Sequence, residues 1–145
     1  MAQCEKASWL KLVFVFSGKT PKGPIKDVLN DYQARISRYL PVETIEAKTL
    51  KIQSRPGHHV VLSPDGTTMD SEAFADFIGR CMLSGKKHLF FYTGGPNGFE
   101  GGFEDAADLK LSLSGMTFNH QIIRVMLIEQ VYRAFTILNN EPYHK

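Results

Sequence analysis

The chain has 145 residues, 43% hydrophobic and 22% charged, with a formal net charge of +2. That length supports one domain with its own core, and the composition is that of a globular protein rather than a disordered or fibrous one. No run of 18 apolar residues is present, which excludes a hydrophobic membrane-spanning helix.

The opening MAQCEKASWLKLVFVF carries Glu5 and Lys11 and no small-residue cleavage site, so it does not read as a signal peptide. Cys4 and Cys81 lack metal or redox spacing. One bridge between them is possible in principle; a reduced cytoplasmic chain is the simpler reading. His58, His59 and His88 show no ligand spacing, and no metal is expected. The charge is uneven. Residues 1–60 hold ten Lys/Arg against five Asp/Glu, and residues 61–145 hold seven against ten. A basic half can face phosphates, and the same composition fits solvated helix faces.

In chain order, residues 1–8 read as a polar extension, and 9–145 as one domain. Leu10–Phe16 reads as a strand. The loop after it contains Gly18-Lys19-Thr20 without the upstream glycine of a phosphate-binding loop, which argues against nucleoside-triphosphate binding. Pro24 opens a helix whose apolar residues recur from Ile25 to Leu40, and Pro41 stops it. Lys26, Arg35 and Arg38 lie on the opposite face. Val42–Glu46 and His59–Ser63 read as strands, joined by a polar link over 47–58. Pro64-Asp65-Gly66 reads as a turn. Asp70 caps a second helix that Gly85 ends, with Met69 stapled onto Phe74.

The last third is the most informative. Leu89–Tyr92 reads as a buried strand running into the glycine turn Gly94-Gly95-Pro96-Asn97-Gly98. Residues 100–110 read as an acidic helical segment, and 111–116 as a fifth strand. The helix expected over 120–139 is apolar on nearly every side, which places it in a core or a subunit interface. Glu129 and Arg133, four apart, can pair there or form a solvated stripe. Strands alternate with helices, so the fold class is α/β, a largely parallel sheet covered by helices.

Three motifs in this order and spacing, GGPNG, then LSLSGMTFNHQIIRVMLIEQVYRAF, then terminal PYHK, resemble the RlmH-type SPOUT methyltransferases. The likeness is close over 88–145 and looser over 10–87. Members of that family methylate N3 of a pseudouridine in large-subunit ribosomal RNA. The resemblance implies a C-terminal trefoil knot, S-adenosyl-L-methionine as methyl donor, a homodimer, and ribosomal RNA or the assembled ribosome as partner. It leaves two alternatives: a knotted methyltransferase acting on another RNA such as transfer RNA, and a non-catalytic RNA-binding dimer.

By the same resemblance, the cofactor lies between Leu62, Gly94 and Gly95, and the segment Ser114, Gly115, Met116, Thr117, Phe118 and Asn119. His144 is the candidate general base by residue type. Tyr143 is placed to stack on a base, and Arg133 to hold a phosphate or stabilise an anion. His120 receives a minor role. Two departures stand out: the family usually has proline at the position of Asn119, and an extra charged helix where this chain has the short 47–58 link.

Overall fold

The computed structural model describes residues 10–96 and 98–144; the expected extension over 1–8 lies outside the described residues. Five strands form one sheet: β1 (Lys11–Ser17), β2 (Val42–Ala47), β3 (His58–Thr68), β4 (His88–Thr93) and β5 (Leu109–Ser112). Their order is β2-β1-β4-β3-β5, and every pairing is parallel. β1 and β4 occupy inner positions, and nearly all of their side chains are buried. Continuous apolar runs are what parallel strands covered on both faces require.

Three helices connect the strands, each bounded by local chemistry. α1 (Pro24–Ile36) has proline in its first turn, where the missing N–H costs no hydrogen bond. α2 (Ser71–Leu83) is capped by Asp70, whose carboxylate accepts the Ala73 N–H at 2.8 Å. Beyond its C-terminus, Gly85 takes φ of 83°, the left-handed conformation that closes helices. α3 (His120–Leu138) starts at Asn119, whose side chain accepts the Gln121 N–H at 2.8 Å.

The two faces of the sheet are covered differently. Leu12, Phe14, Phe16, Val60, Leu62, Leu89, Phe91 and Leu111 pack under the helices, with Leu29, Ile78, Leu127 and Phe135 against them. The opposite face, Val13, Val15, Val61, Phe90 and Tyr92, meets Leu50, Ile52, Phe99, Phe103 and Ala107 from the irregular segments. The expected sheet covered by helices is therefore helical on one side only. The polar-looking 47–58 link contributes apolar cover on the other.

Four sequence expectations change. Pro64-Asp65-Gly66 is no turn but part of a long β3, where Leu62 and Thr67 both stand opposite Leu111 across an irregularity. Gly66 permits this, since a Cβ there would lie 2.6 Å from the Lys110 carbonyl carbon. The acidic helix over 100–110 reduces to a single 3₁₀ turn, Glu104–Ala106. Gly101 and Gly102 take φ of 30° and 69°, which breaks helical geometry. Phe99 and Phe103 also stack at 4.8 Å and hold the segment on the sheet. The fifth strand stops at Ser112, because Ser112 Oγ donates to the Ser114 carbonyl and Ser114 Oγ accepts from Met116 N–H, turning the chain. The first helix ends at Ile36 rather than Leu40.

Candidate active site

The carboxyl ends of β3, β4 and β5 frame a cleft of about 240 Å³, the usual place for ligands on open parallel sheets. Leu62 and Ser63 line it from β3, Gly94, Gly95 and Gly98 from the glycine turn, and Ser114, Met116, Thr117 and Phe118 from the segment after β5. His120 and Ile123 close it from the first turn of α3. The glycine turn is tight: the Gly98 N–H donates to the Gly95 carbonyl at 3.0 Å, and Gly98 has φ of 71°. A Cβ on Gly94 would stand 3.1 Å from the Gly98 carbonyl carbon, and one on Gly95 3.1 Å from Ser17 Oγ. Only glycine leaves the main chain bare at the cleft wall. Of the predicted cofactor residues, Gly115 and Asn119 do not line the cleft; Asn119 serves as the α3 cap.

Beneath the glycine turn, the loop after β1 is fixed by Arg124 of α3. This guanidinium is fully buried. It donates to Thr20 Oγ1 at 2.6 Å and to the Ser17 and Gly18 carbonyls at 2.5 and 3.0 Å, and lies 4.7 Å from the Phe16 ring centroid. Burial lowers its pKa, and the Glu46 carboxylate opposes that shift.

The three predicted catalytic residues form a separate cluster. Arg133 donates through Nη2 to Glu129 Oε2 at 2.7 Å and through Nη1 to His144 Nδ1 at 3.0 Å. Tyr143 Oη donates to the same Glu129 oxygen at 2.8 Å and lies 3.1 Å from Tyr32 Oη. The Arg133 guanidinium sits 4.9 Å from the Tyr143 ring centroid. Tyr39 hydrogen-bonds Glu141, which pins the tail one step earlier. The Glu129 hydrogen bond raises the Arg133 pKa. Burial, then the bonds to Tyr32 and Glu129, push the Tyr143 hydroxyl well above its ordinary value.

The cleft and this cluster lie at opposite ends of α3. His120 and Arg133 are thirteen residues apart, about 20 Å along the helix axis. A single protomer therefore brings together the predicted cofactor residues and the predicted catalytic residues, but not each with the other. Sequence reasoning missed Pro96, Phe99, Glu104 and Ile123 in the cleft, and Tyr32 beside the tail. Pro96 and Ile123 lay inside motifs already singled out, and Tyr32 is one apolar position in the periodicity of the first helix; Phe99 and Glu104 left no signal.

A family model described as a predicted SPOUT methyltransferase matches residues 10–144. The chain belongs to the SPOUT methyltransferase family. Its curated relatives include the ribosomal RNA large subunit methyltransferase H of Coprothermobacter proteolyticus, 38% identical over 139 residues, covering 94% of this chain and 100% of that protein. The protein of the same name from Trichlorobacter lovleyi is 41% identical over 152 residues, covering 93% and 99%. A solved structure, a probable methylase family protein from Haemophilus influenzae, shares the fold with a TM-score of 0.57 at 10% identity, covering 96% of this chain and 71% of that one.

The residues of this SPOUT cleft fit a bent nucleoside carrying a sulfonium. Leu62, Leu113, Met116, Phe118 and Ile123 supply apolar walls, Ser63, Ser114 and Thr117 supply hydroxyls, and the bare glycine main chain supplies close approach. Among the described residues no group of three or more His, Cys, Asp or Glu is arranged to hold a metal ion. No helix there is long and apolar enough to cross a membrane.

Proposed function

We propose that this protein methylates N3 of a pseudouridine in 23S ribosomal RNA of the large subunit, with S-adenosylmethionine in the glycine-turn cleft, in the cytoplasm and as a knotted homodimer. Family membership and the gathering of Leu62, Gly94, Gly95 and Met116 around one cleft carry this reading. The bound cofactor supplies a methyl group on sulfur, and transfer leaves a neutral thioether. The chain supplies the geometry. Apolar walls exclude water, the glycine main chain orients the nucleoside, and positioning accounts for much of the rate.

The homodimer reading rests on the split between cleft and cluster. Ile122, Val125, Met126, Glu129 and Arg133 recur along one side of α3, and none is buried. Ile122 is 45% exposed and Met116 72%. Two copies of α3 packed antiparallel about a two-fold axis cover that stripe. They also bring the partner copy's C-terminal cluster to the mouth of the first copy's cleft. Each active site then draws its cofactor pocket from one subunit and Arg133, Tyr143 and His144 from the other.

Incubation with unmodified ribosomes and S-adenosylmethionine, followed by nucleoside mass spectrometry, tests the activity: N3-methylpseudouridine is expected. Label found only in transfer RNA would support a different RNA substrate. Calorimetry that detects no cofactor binding would support a non-catalytic dimer. Mixing two inactive variants, His144→Ala and Gly95→Val, tests the shared site, because heterodimers that keep one intact site recover activity.

A further inference from the structure

The hydrogen bond between Arg133 and His144 restricts what this histidine can do. An arginine guanidinium carries only donors. At 3.0 Å, His144 Nδ1 must therefore be the acceptor and hold no proton. A doubly protonated ring has no lone pair to offer. The remaining ring form is neutral, with its proton on Nε2. Nδ1, the nitrogen that could take a proton, is already occupied.

Glu129 holds this arrangement in place. Its Oε2 accepts both Arg133 Nη2 and Tyr143 Oη, at 2.7 and 2.8 Å, and its Oε1 accepts Gln130 Nε2 at 3.2 Å. One carboxylate thus fixes the guanidinium that sets the histidine tautomer and the tyrosine that precedes the histidine. The four-residue spacing announced the Glu129–Arg133 pair, but not its contacts to Tyr143 and His144.

We propose that Glu129 and Arg133 lock His144 as the neutral Nε2–H tautomer, so that His144 acts as a hydrogen-bond donor to the target base rather than as its general base, with Glu129 a positioning residue. This rests on the methyltransferase reading above and on the partner's tail reaching the cleft. In the transfer, the N3–H bond breaks and its proton passes to water. The N3 electron pair forms the new N–CH3 bond while the S–CH3 bond breaks and its electrons return to sulfur. Negative charge left by the departing proton spreads onto the two flanking carbonyl oxygens. An Nε2–H aimed at one of them stabilises that charge.

Two measurements test this. Ring-nitrogen NMR of ¹⁵N-histidine protein without cofactor or RNA, with His144 assigned by its absence in His144→Gln, reads the tautomer directly. The expected result is a protonated Nε2 and a bare Nδ1 at neutral pH, collapsing to a mixture in Arg133→Ala and loosening in Glu129→Gln. A protonated Nδ1 or an imidazolium in the wild type would overturn the proposal. Turnover then separates donor from base, since glutamine can donate but cannot take up a proton. His144→Ala is expected to lower kcat by about 100-fold, and His144→Gln to recover at least about tenfold of that loss, with cofactor affinity unchanged in both. Equal loss in the two variants would sink the donor role while leaving the shared site intact. Full turnover in His144→Ala would overturn the shared site and the donor role together.

Discussion

Arg124 and Thr20, 104 positions apart in the chain, meet at 2.6 Å in the interior, where the guanidinium ties α3 to the loop after β1. The last residue of β1, Ser17, backs the glycine turn, and its Oγ limits any side chain at Gly95. Arg124→Met would leave the Ser17 and Gly18 carbonyls and the Thr20 hydroxyl without their donor. Loss of about 3 kcal/mol or more is expected, read as a lower urea midpoint by circular dichroism. A midpoint within error of wild type would show that the loop holds without it.

Two glycines should respond oppositely to alanine. At Gly66 the new Cβ meets Lys110 main chain at 2.6 Å, which cannot yield without moving β5. Gly66→Ala is expected to cost about 1–3 kcal/mol and to weaken cofactor binding, since Leu62 and Leu111 flank the same irregularity. At Gly79, inside α2, the nearest atom is a Leu138 methyl at 3.2 Å, the end of a flexible side chain. Gly79→Ala is expected to be neutral or to stabilise by up to about 1 kcal/mol. Thermal unfolding of the pair measures the contrast.

Asn119 has φ of −55°, which proline also adopts. The departure from the family's usual proline therefore leaves the chain path compatible with either residue, and adds a side-chain cap. Asn119→Ala is expected to lose about 1 kcal/mol. Asn119→Pro should fall between alanine and wild type while retaining cofactor affinity, checked by calorimetric titration.

Burial pushes the Cys81 thiol up to about 11. In a Cys4→Ser background, Cys81 should resist iodoacetamide at pH 8 and react fully once urea unfolds the chain. The same shift predicts a stability loss at high pH. The unfolded thiol ionises near its ordinary value while the folded one does not, so the contribution is intact below about 8.5 and fades as pH rises toward 11.

His59 gives the opposite slope. Its ring stacks on Phe90 at 4.5 Å and its Nδ1 lies 2.7 Å from Tyr92 Oη. Burial lowers its pKa, with Asp108 opposing. The folded state favours the neutral ring, so this contribution is present above about 6.5 and is lost as pH falls below it. Urea unfolding between pH 5 and 8 should show a shallower acid loss in His59→Asn than in the wild type; parallel curves would remove His59 from the cause.

Much of the fold was legible because its signals are local. Pro24, Asp70 and Gly85 mark helix ends by backbone geometry that any surroundings would preserve, and each stands at or beside the end it was read for. The apolar runs at Leu12–Phe16 and Leu89–Tyr92 are short, rich in aromatic and β-branched residues and bounded by turn residues, and both form buried strands. Segments whose path depends on distant neighbours were misread. Gly66 looked like a turn residue because the Lys110 backbone it rests on is 44 positions away. Residues 100–110 looked helical because nothing in their own composition showed that Phe103 would pack on Tyr92 and Phe99.

The site divides in the same way. Sequence alone pointed to the family, the glycine turn and the apolar segment after β5, because a tight turn whose main chain must lie bare admits few residues. Only the tertiary structure decided that these segments meet in one cleft, and that Arg133, Tyr143 and His144 gather about 20 Å away along α3. It also decided that His144 Nδ1 meets the Arg133 guanidinium. Hydrogen-bond direction and distance are properties of side chains in space, and residue order along a chain does not contain them.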